Sequence, residues 1–259
     1  MTTPITIVTG ASSGIGAATA RLLAARGHRI ALVARTEDTL TDVARSLPEV
    51  DAGSHLPVIC DVSVRQQVED AVATIVERLG VPSGLVNGAG ICTPASLDAM
   101  TDEVWAAALD INLSGTLYMS RAAARAMRAA GQPGSIVNLG SEASSIGMPH
   151  YVAYCASKAG VLGLTRAMAA ELAPHIRVNA LCPGPVDTPM LRAELALSGE
   201  PDKAWEAEVA RVPLRHVATA EEIADAAAWL LSARSATGAA VRIDGGTTTA
   251  FYGVNNDAS

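Results

Sequence analysis

Aromatic side chains are nearly missing from this chain. They make up 3% of its residues, and Phe251 is the single phenylalanine, so a core must be aliphatic. Charge is sparse as well, at 17% of residues, with a net balance of −7. That balance excludes nucleic acid and anionic membrane as the expected main partner. No run rich in Lys and Arg of the kind found in basic arms occurs. The four cysteines, Cys60, Cys92, Cys155 and Cys182, have no C-x-x-C spacing. Each sits in or beside an apolar run, so buried reduced thiols are expected and a metal site is not. No apolar run reaches the length of a membrane span. The N-terminus, MTTPITIVTG, has no basic n-region or cleavage site, so a soluble, cytoplasmic protein is expected. Internal repeats and low-complexity tracts are also missing.

What remains is a 259-residue chain that is 49% hydrophobic, enough for one compact α/β domain over residues 1–259. Short continuous apolar runs read as buried strands: Ile5–Thr9, Arg29–Ala34, Leu56–Cys60, Gly84–Asn87, Ser135–Leu139, Ile176–Leu181 and Val241–Asp244. Helical stretches lie between them: Ala17–Ala25, Thr36–Leu47, Val64–Leu79, a pair after Thr101 with a bend near Leu113–Gly115, and Tyr151–Leu172. Thr219 and Glu222 have the spacing of a capping box opening a helix to about Leu231. Strands alternating with helices of ten residues or more predict a doubly wound, mostly parallel seven-stranded sheet covered on both faces. Two segments break the rhythm, Pro183–Val217 and the tail after Gly245. The first is expected to be a lid or binding loop, about 185–217.

Three local patterns carry chemistry. The first strand runs into Gly10-Ala11-Ser12-Ser13-Gly14-Ile15-Gly16 and then a helix. Glycines there permit a tight turn and let a pyrophosphate approach the helix N-terminus. Tyr154 and Lys158 stand four apart, on one face of the expected helix. A phenol titrates near ~10, and a cation held beside it in a dry pocket favours the phenolate. Ser141, thirteen residues before Tyr154, can bring a hydroxyl opposite the phenol, and the three groups together can move a proton on a substrate oxygen.

In this order and spacing, Thr9 to Gly16, Asn87-Gly88-Ala89-Gly90, Asn112, Ser141 and Tyr154-x-x-x-Lys158 resemble the short-chain dehydrogenase/reductase family, in its simple single-domain branch. Asn179, Pro183-Gly184 and Asp244-Gly245-Gly246 extend the resemblance over nearly the whole chain. Gly88 departs from it, standing where the family usually has a second asparagine. The resemblance implies a Rossmann-like fold and a nicotinamide cofactor. Tyr154 would be the general acid/base, and Lys158 would lower its pKa and hold the nicotinamide ribose. Ser141 would bond the substrate oxygen, and Asn112 would anchor a water leading from Lys158 to solvent. Cofactor contacts would come from Gly10, Ser12, Ser13, Gly14, Ile15, Gly16, Asp61, Val62, Asn87, Ala89, Gly90, Pro183, Gly184, Val186 and Thr188, besides Tyr154 and Lys158. Homodimers or homotetramers assembled through the helices after Leu113 and Tyr154 are also implied.

The second strand ends in Ala34-Arg35, with no carboxylate where NAD-preferring relatives carry Asp. Arg35 suits a 2′-phosphate, so NADP(H) is expected, with NAD(H) an alternative. Met148, His150, Tyr151, Met190 and Leu191, with Leu195 and Trp205, lie on loops beyond the strand ends. They suit a medium-sized ketone or secondary alcohol. Two rivals stand beside this reading. An enoyl reductase of related fold would use Tyr151, seven residues before Lys158, and a non-catalytic dinucleotide-binding regulator would keep the fold without turnover.

Overall fold

The structure, a computed structural model, describes residues 3–50 and 53–249. The first half contains β1 (Ile5–Thr9), α1 (Gly14–Ala25), β2 (Arg29–Ala34), α2 (Glu37–Ser46), β3 (Leu56–Ile59), α3 (Arg65–Arg78), β4 (Gly84–Asn87), α4 (Asp102–Leu109) and α5 (Gly115–Ala129). The second contains β5 (Gly134–Leu139), α6 (Val152–Leu172), β6 (Ile176–Pro183), β7 (Val186–Asp187), α7 (Pro189–Ala196), α8 (Pro201–Arg211), β8 (Ala218–Thr219), α9 (Ala220–Ser232) and β9 (Ala240–Ile243).

Seven strands form one parallel sheet in the order β3-β2-β1-β4-β5-β6-β9. This is the doubly wound arrangement expected from the sequence. Successive strand residues face opposite layers, as the pleat requires. Val8 and Leu32 join Leu23, Leu40 and Ile223 beneath α1, α2 and α9. Ile7 and Leu85 join Val68, Ile75, Met119 and Met127 beneath α3 and α5. Aliphatic side chains fill both layers, each worth about 1.5–3 kcal/mol when fully buried.

Helix starts follow local chemistry. Thr101 Oγ1 accepts the Val104 amide at 3.3 Å, and Thr219 with Glu222 closes the expected capping box at α9. Thr36 stands at the N-cap of α2 without a side-chain capping bond. The bend expected near Leu113–Gly115 is a wide π turn, Asp110–Ser114, fusing α4 to α5.

The main departure from expectation is Pro183–Val217, which is not an irregular loop. It holds α7 and α8, closed by the two-stranded parallel pair β7–β8. Each helix opens on a proline in its first turn, where the missing N–H costs nothing and φ is already helical. Thr188 caps α7 through the Leu191 amide. Beyond Gly245 the chain continues as turns to Thr249, and the rest of the expected tail lies outside the described residues. No helix among the described residues is long and apolar enough to cross a membrane.

Candidate active site

The strand order reverses between β1 and β4, and ligands of open parallel sheets lie outside the carboxyl ends of the strands there. Thr9, last residue of β1, accepts the amides of Gly88 and Ala89 on its hydroxyl at 3.0 and 3.1 Å, tying the glycine turn to the loop after β4. The backbones meet so closely that side chains are excluded. A Cβ on Gly16 would collide with the Gly10 carbonyl, and one on Gly88 would lie 2.7 Å from the Thr9 carbonyl oxygen. Gly88, the departure from the family pattern, thus occupies a position where this backbone leaves no room for an asparagine.

Ser13 stands at the N-cap of α1 without a side-chain capping bond, and the first turn has no acidic residue. The helix therefore keeps its free amides and positive end for an anion. Above it lies a cleft of about 280 Å³, lined by Gly10, Ser12 to Gly16, Arg35, Asp61, Val62, Ala89, Gly90 and Thr188. Arg35 is exposed at the rim beside buried Ala34. Burial works to raise the Asp61 pKa, but hydrogen bonds from Ser63 and the charge of Arg35 hold it below the usual carboxylate range. A glycine cradle, an uncapped helix start and a cation at the rim fit a dinucleotide.

Asn87 and Asn112 do not line this cleft. Asn87 is buried, and its amide donates to Ser120 Oγ at 2.9 Å and Asn138 Oδ1 at 2.8 Å, so its side chain braces β4 against β5 and α5. Asn112 sits in the π turn. Its Oδ1 accepts the Ile91 amide at 2.8 Å, and its Nδ2 donates to the Ile91 carbonyl and to Ser157 Oγ, each at 3.0 Å. It fastens the loop after β4 to α6 at Ser157, the residue next to Lys158.

Tyr154 and Lys158 point from α6 to the place where this cleft opens into a second cavity of about 350 Å³. Ile15, Gly88, Gly90, Leu139, Thr188 and Met190 line both spaces. Ser141 is positioned by its own turn: its hydroxyl accepts the Ala143 amide at 3.1 Å, and its amide donates to Ser144 Oγ. Lys158 donates to the Leu139 carbonyl at 2.8 Å, with its Nζ 5.7 Å from the Tyr154 ring centre. Burial drives both groups toward their neutral forms. Lys158 falls to about 8, while Tyr154 is raised, with the Ser141 side chain acting in the opposite direction. For both groups desolvation is the largest cause of the shift.

Of the residues expected to meet substrate, Met148, Tyr151, Met190 and Leu191 line the second cavity. His150 does not. It is exposed at a positive-φ turn, where its carbonyl accepts the Ala95 amide. Leu195 and Trp205 are also outside the lining, and Trp205 packs under the Arg192 guanidinium 3.9 Å away. Pro183, Gly184 and Val186 lie on the rim of this second cavity rather than in the first cleft.

Five titratable lining residues were not among the expected site residues: Cys92, Glu142, Glu194, Glu208 and Arg211. The Tyr151 hydroxyl donates to Glu194 of α7. Arg211 of α8 reaches back to Glu142, beside Ser141, at 2.7 Å and also pairs with Glu208. Burial pushes the Cys92 thiol up to about 12. A helical reading of 189–211 would have found part of this set, since Met190, Leu191 and Glu194 share a face and Glu208 and Arg211 are three apart.

Comparisons with known proteins agree with this geometry. A family model described as enoyl-(acyl carrier protein) reductase matches residues 10–248. The chain is 42% identical over 248 residues to the short-chain reductase protein NovJ of Streptomyces niveus, covering 93% of each chain. It is 37% identical to 3-oxoacyl-[acyl-carrier-protein] reductase FabG of Thermotoga maritima, over 93% of this chain and 96% of the relative. Among solved structures, an actinorhodin polyketide ketoreductase with NADPH superposes with a TM-score of 0.89 at 35% identity, over 96% of this chain and 98% of the other. Levodione reductase superposes at 0.91 with 33% identity over the same shares. Sheet order, glycine cradle, serine–tyrosine–lysine cluster and near full-length similarity converge on one conclusion: the chain belongs to the short-chain dehydrogenase/reductase family and is an oxidoreductase of that NAD(P)-dependent type.

Proposed function

We propose that this enzyme interconverts a ketone or aldehyde and an alcohol, with Tyr154 as general acid/base and NADP(H) as preferred cofactor. The observation that carries the reading is that Ser141, Tyr154 and Lys158 line one cavity where it meets the dinucleotide cleft, with Lys158 Nζ 5.7 Å from the Tyr154 ring centre. A bound nicotinamide supplies or accepts the hydride. The chain's own residues position the carbonyl and manage one proton. Ser141 and Tyr154 converge on the carbonyl oxygen. The cavity keeps the phenol protonated, the form that donates to a developing alkoxide during reduction, and Lys158 stands ready to stabilise the phenolate left behind. Asn112 acts through positioning, by fixing Ile91 and Ser157 around Lys158.

The names of the relatives support carbonyl reduction, since they include carbonyl reductase family member 4 of Danio rerio and L-xylulose reductase of Cavia porcellus. Arg35 beside Ala34 supports the 2′-phosphate, as does the NADPH in the actinorhodin ketoreductase structure. In a panel of ketones and alcohols, Tyr154→Phe is expected to lower kcat by about 10²–10⁴-fold. Tyr151→Phe is expected to stay active, because that hydroxyl is engaged by Glu194. The reverse pattern would transfer the role to Tyr151 and favour the enoyl reductase reading. Steady-state kinetics with each cofactor test the other half: kcat/KM for NADH equal to or above that for NADPH refutes the preference.

A further inference from the structure

The wall of the substrate cavity away from Tyr154 is unevenly charged. It carries Glu142, Glu194 and Glu208 against a single guanidinium, Arg211. Arg211 is already committed. Its Nη1 and Nη2 reach the Glu142 carboxylate at 3.1 and 2.7 Å, its Nε reaches Glu208 at 3.2 Å, and Nη2 pairs with Glu208 as well. Two carboxylates around one guanidinium leave no cationic face to recognise a carboxylate or phosphate on a substrate. Lys158 is tied to the Leu139 carbonyl on the opposite side, under the tyrosine.

Glu194 is placed differently. It lines the same cavity from α7, alongside Cys92, and receives a hydrogen bond from one neutral donor, the Tyr151 hydroxyl. Met148, Met190 and Leu191 supply apolar lining around it. The charge of Arg211 reaches Glu194 only in part, being shared with Glu142 and Glu208, and Glu194 makes no ion pair of its own among the described residues. A half-buried carboxylate so placed is costly, and a cationic ligand is its natural complement. Burial raises its pKa, consistent with a charge that the protein itself compensates only in part. Tyr151, which holds Glu194, lies with its ring centre 6.5 Å from that of Tyr154.

Resting on the assignment of this cavity as the carbonyl site, we propose that the substrate is a ketone or secondary alcohol carrying an ammonium group, which Glu194 receives while the carbonyl faces Tyr154. Glu194 is then the specificity-determining residue, and anionic substrates are disfavoured. Three ketones of one shape and different charge test this: 4-aminocyclohexanone, 4-hydroxycyclohexanone and 4-oxocyclohexanecarboxylate. The ammonium ketone is expected to exceed the neutral one by about tenfold in kcat/KM, with the carboxylate last. Glu194→Gln is expected to lower the ammonium-to-neutral ratio by about tenfold, chiefly through KM. Equal values, or a carboxylate preference, overturn the proposal. If none of the three is turned over, calorimetric titration of each into the enzyme–cofactor complex decides, and tightest binding of any but the ammonium ketone overturns it. Turnover without charge preference sinks this inference while leaving the tyrosine assignment intact. An active Tyr154→Phe sinks that assignment and leaves the charge order measurable.

Discussion

The two sides of the active site are built from different materials. The cofactor cleft is made of backbone: a glycine turn, a helix start and loops pressed against one another until no Cβ fits. The substrate side is made of side chains on α7 and α8, two helices without a single fully buried residue, held down by charged and polar contacts. The first is rigid because its atoms have nowhere to go. The second depends on a few strong contacts and can be retuned by changing any of them. Such a division suits a scaffold that keeps one cofactor while its substrates vary.

The comparison breaks most sharply at Gly16. Gly16→Ala is expected to weaken NADPH binding more than 100-fold and destabilise the fold by about 2 kcal/mol, because the added methyl meets the backbone carbonyl of Gly10. Fluorescence titration and urea unfolding measure the two effects. A variant that binds NADPH normally would show that the cradle has slack.

Arg211→Met tests the opposite wall. Removing the guanidinium leaves Glu142, only 5% exposed, facing Glu208 without a counter-charge. A loss near 3 kcal/mol is expected, seen as a lower Tm and faster proteolysis between residues 189 and 211, with little change in cofactor affinity. Unchanged protease sensitivity would mean that α7 and α8 are held by something other than this pair.

Lys158, buried in the second cavity beneath Tyr154, gives a smaller, pH-dependent effect. Its pKa, about 8 when folded, lies below the unfolded value of ~10.4. The unfolded chain therefore binds more protons between those values, and this residue's contribution to stability rises with pH across that window. The difference between wild type and Lys158→Met in urea unfolding should favour the variant below pH 8 and shrink toward pH 10. The opposite slope would show that the ammonium is stabilised, not strained, by its burial.

Most of the fold and half of the site could be read from the chain itself. Strands buried on both faces announce themselves as continuous apolar runs, and the Tyr154–Lys158 pair and the glycine turn are local in sequence. The helices α7 and α8 were hidden because each is only half-buried along one face, which carries Glu194 in one and Glu208 and Arg211 in the other. The apolar stripe is therefore weak, and Pro189 and Pro201 mark the starts more clearly. The Glu142–Arg211 pair joins residues 69 apart, which no local pattern encodes. The orientation of the Asn87 side chain and the placement of His150 were likewise set by neighbours far along the chain, Asn138 for one and the Ala95 backbone for the other.

The π turn at Asp110–Ser114 has a geometric consequence of its own. One residue added to a 3.6-residue turn rotates everything beyond it by roughly 100°. The single rod formed by α4 and α5 therefore changes phase at Asn112. Before the turn it lies against α6, and after it against α3. One continuous element thus serves two partner helices. The slip also aims the Asn112 amide inward at Ile91 and Ser157. Without that extra residue, α4 and α5 would be a longer and more regular helix, and Lys158 would lose the brace that defines its surroundings.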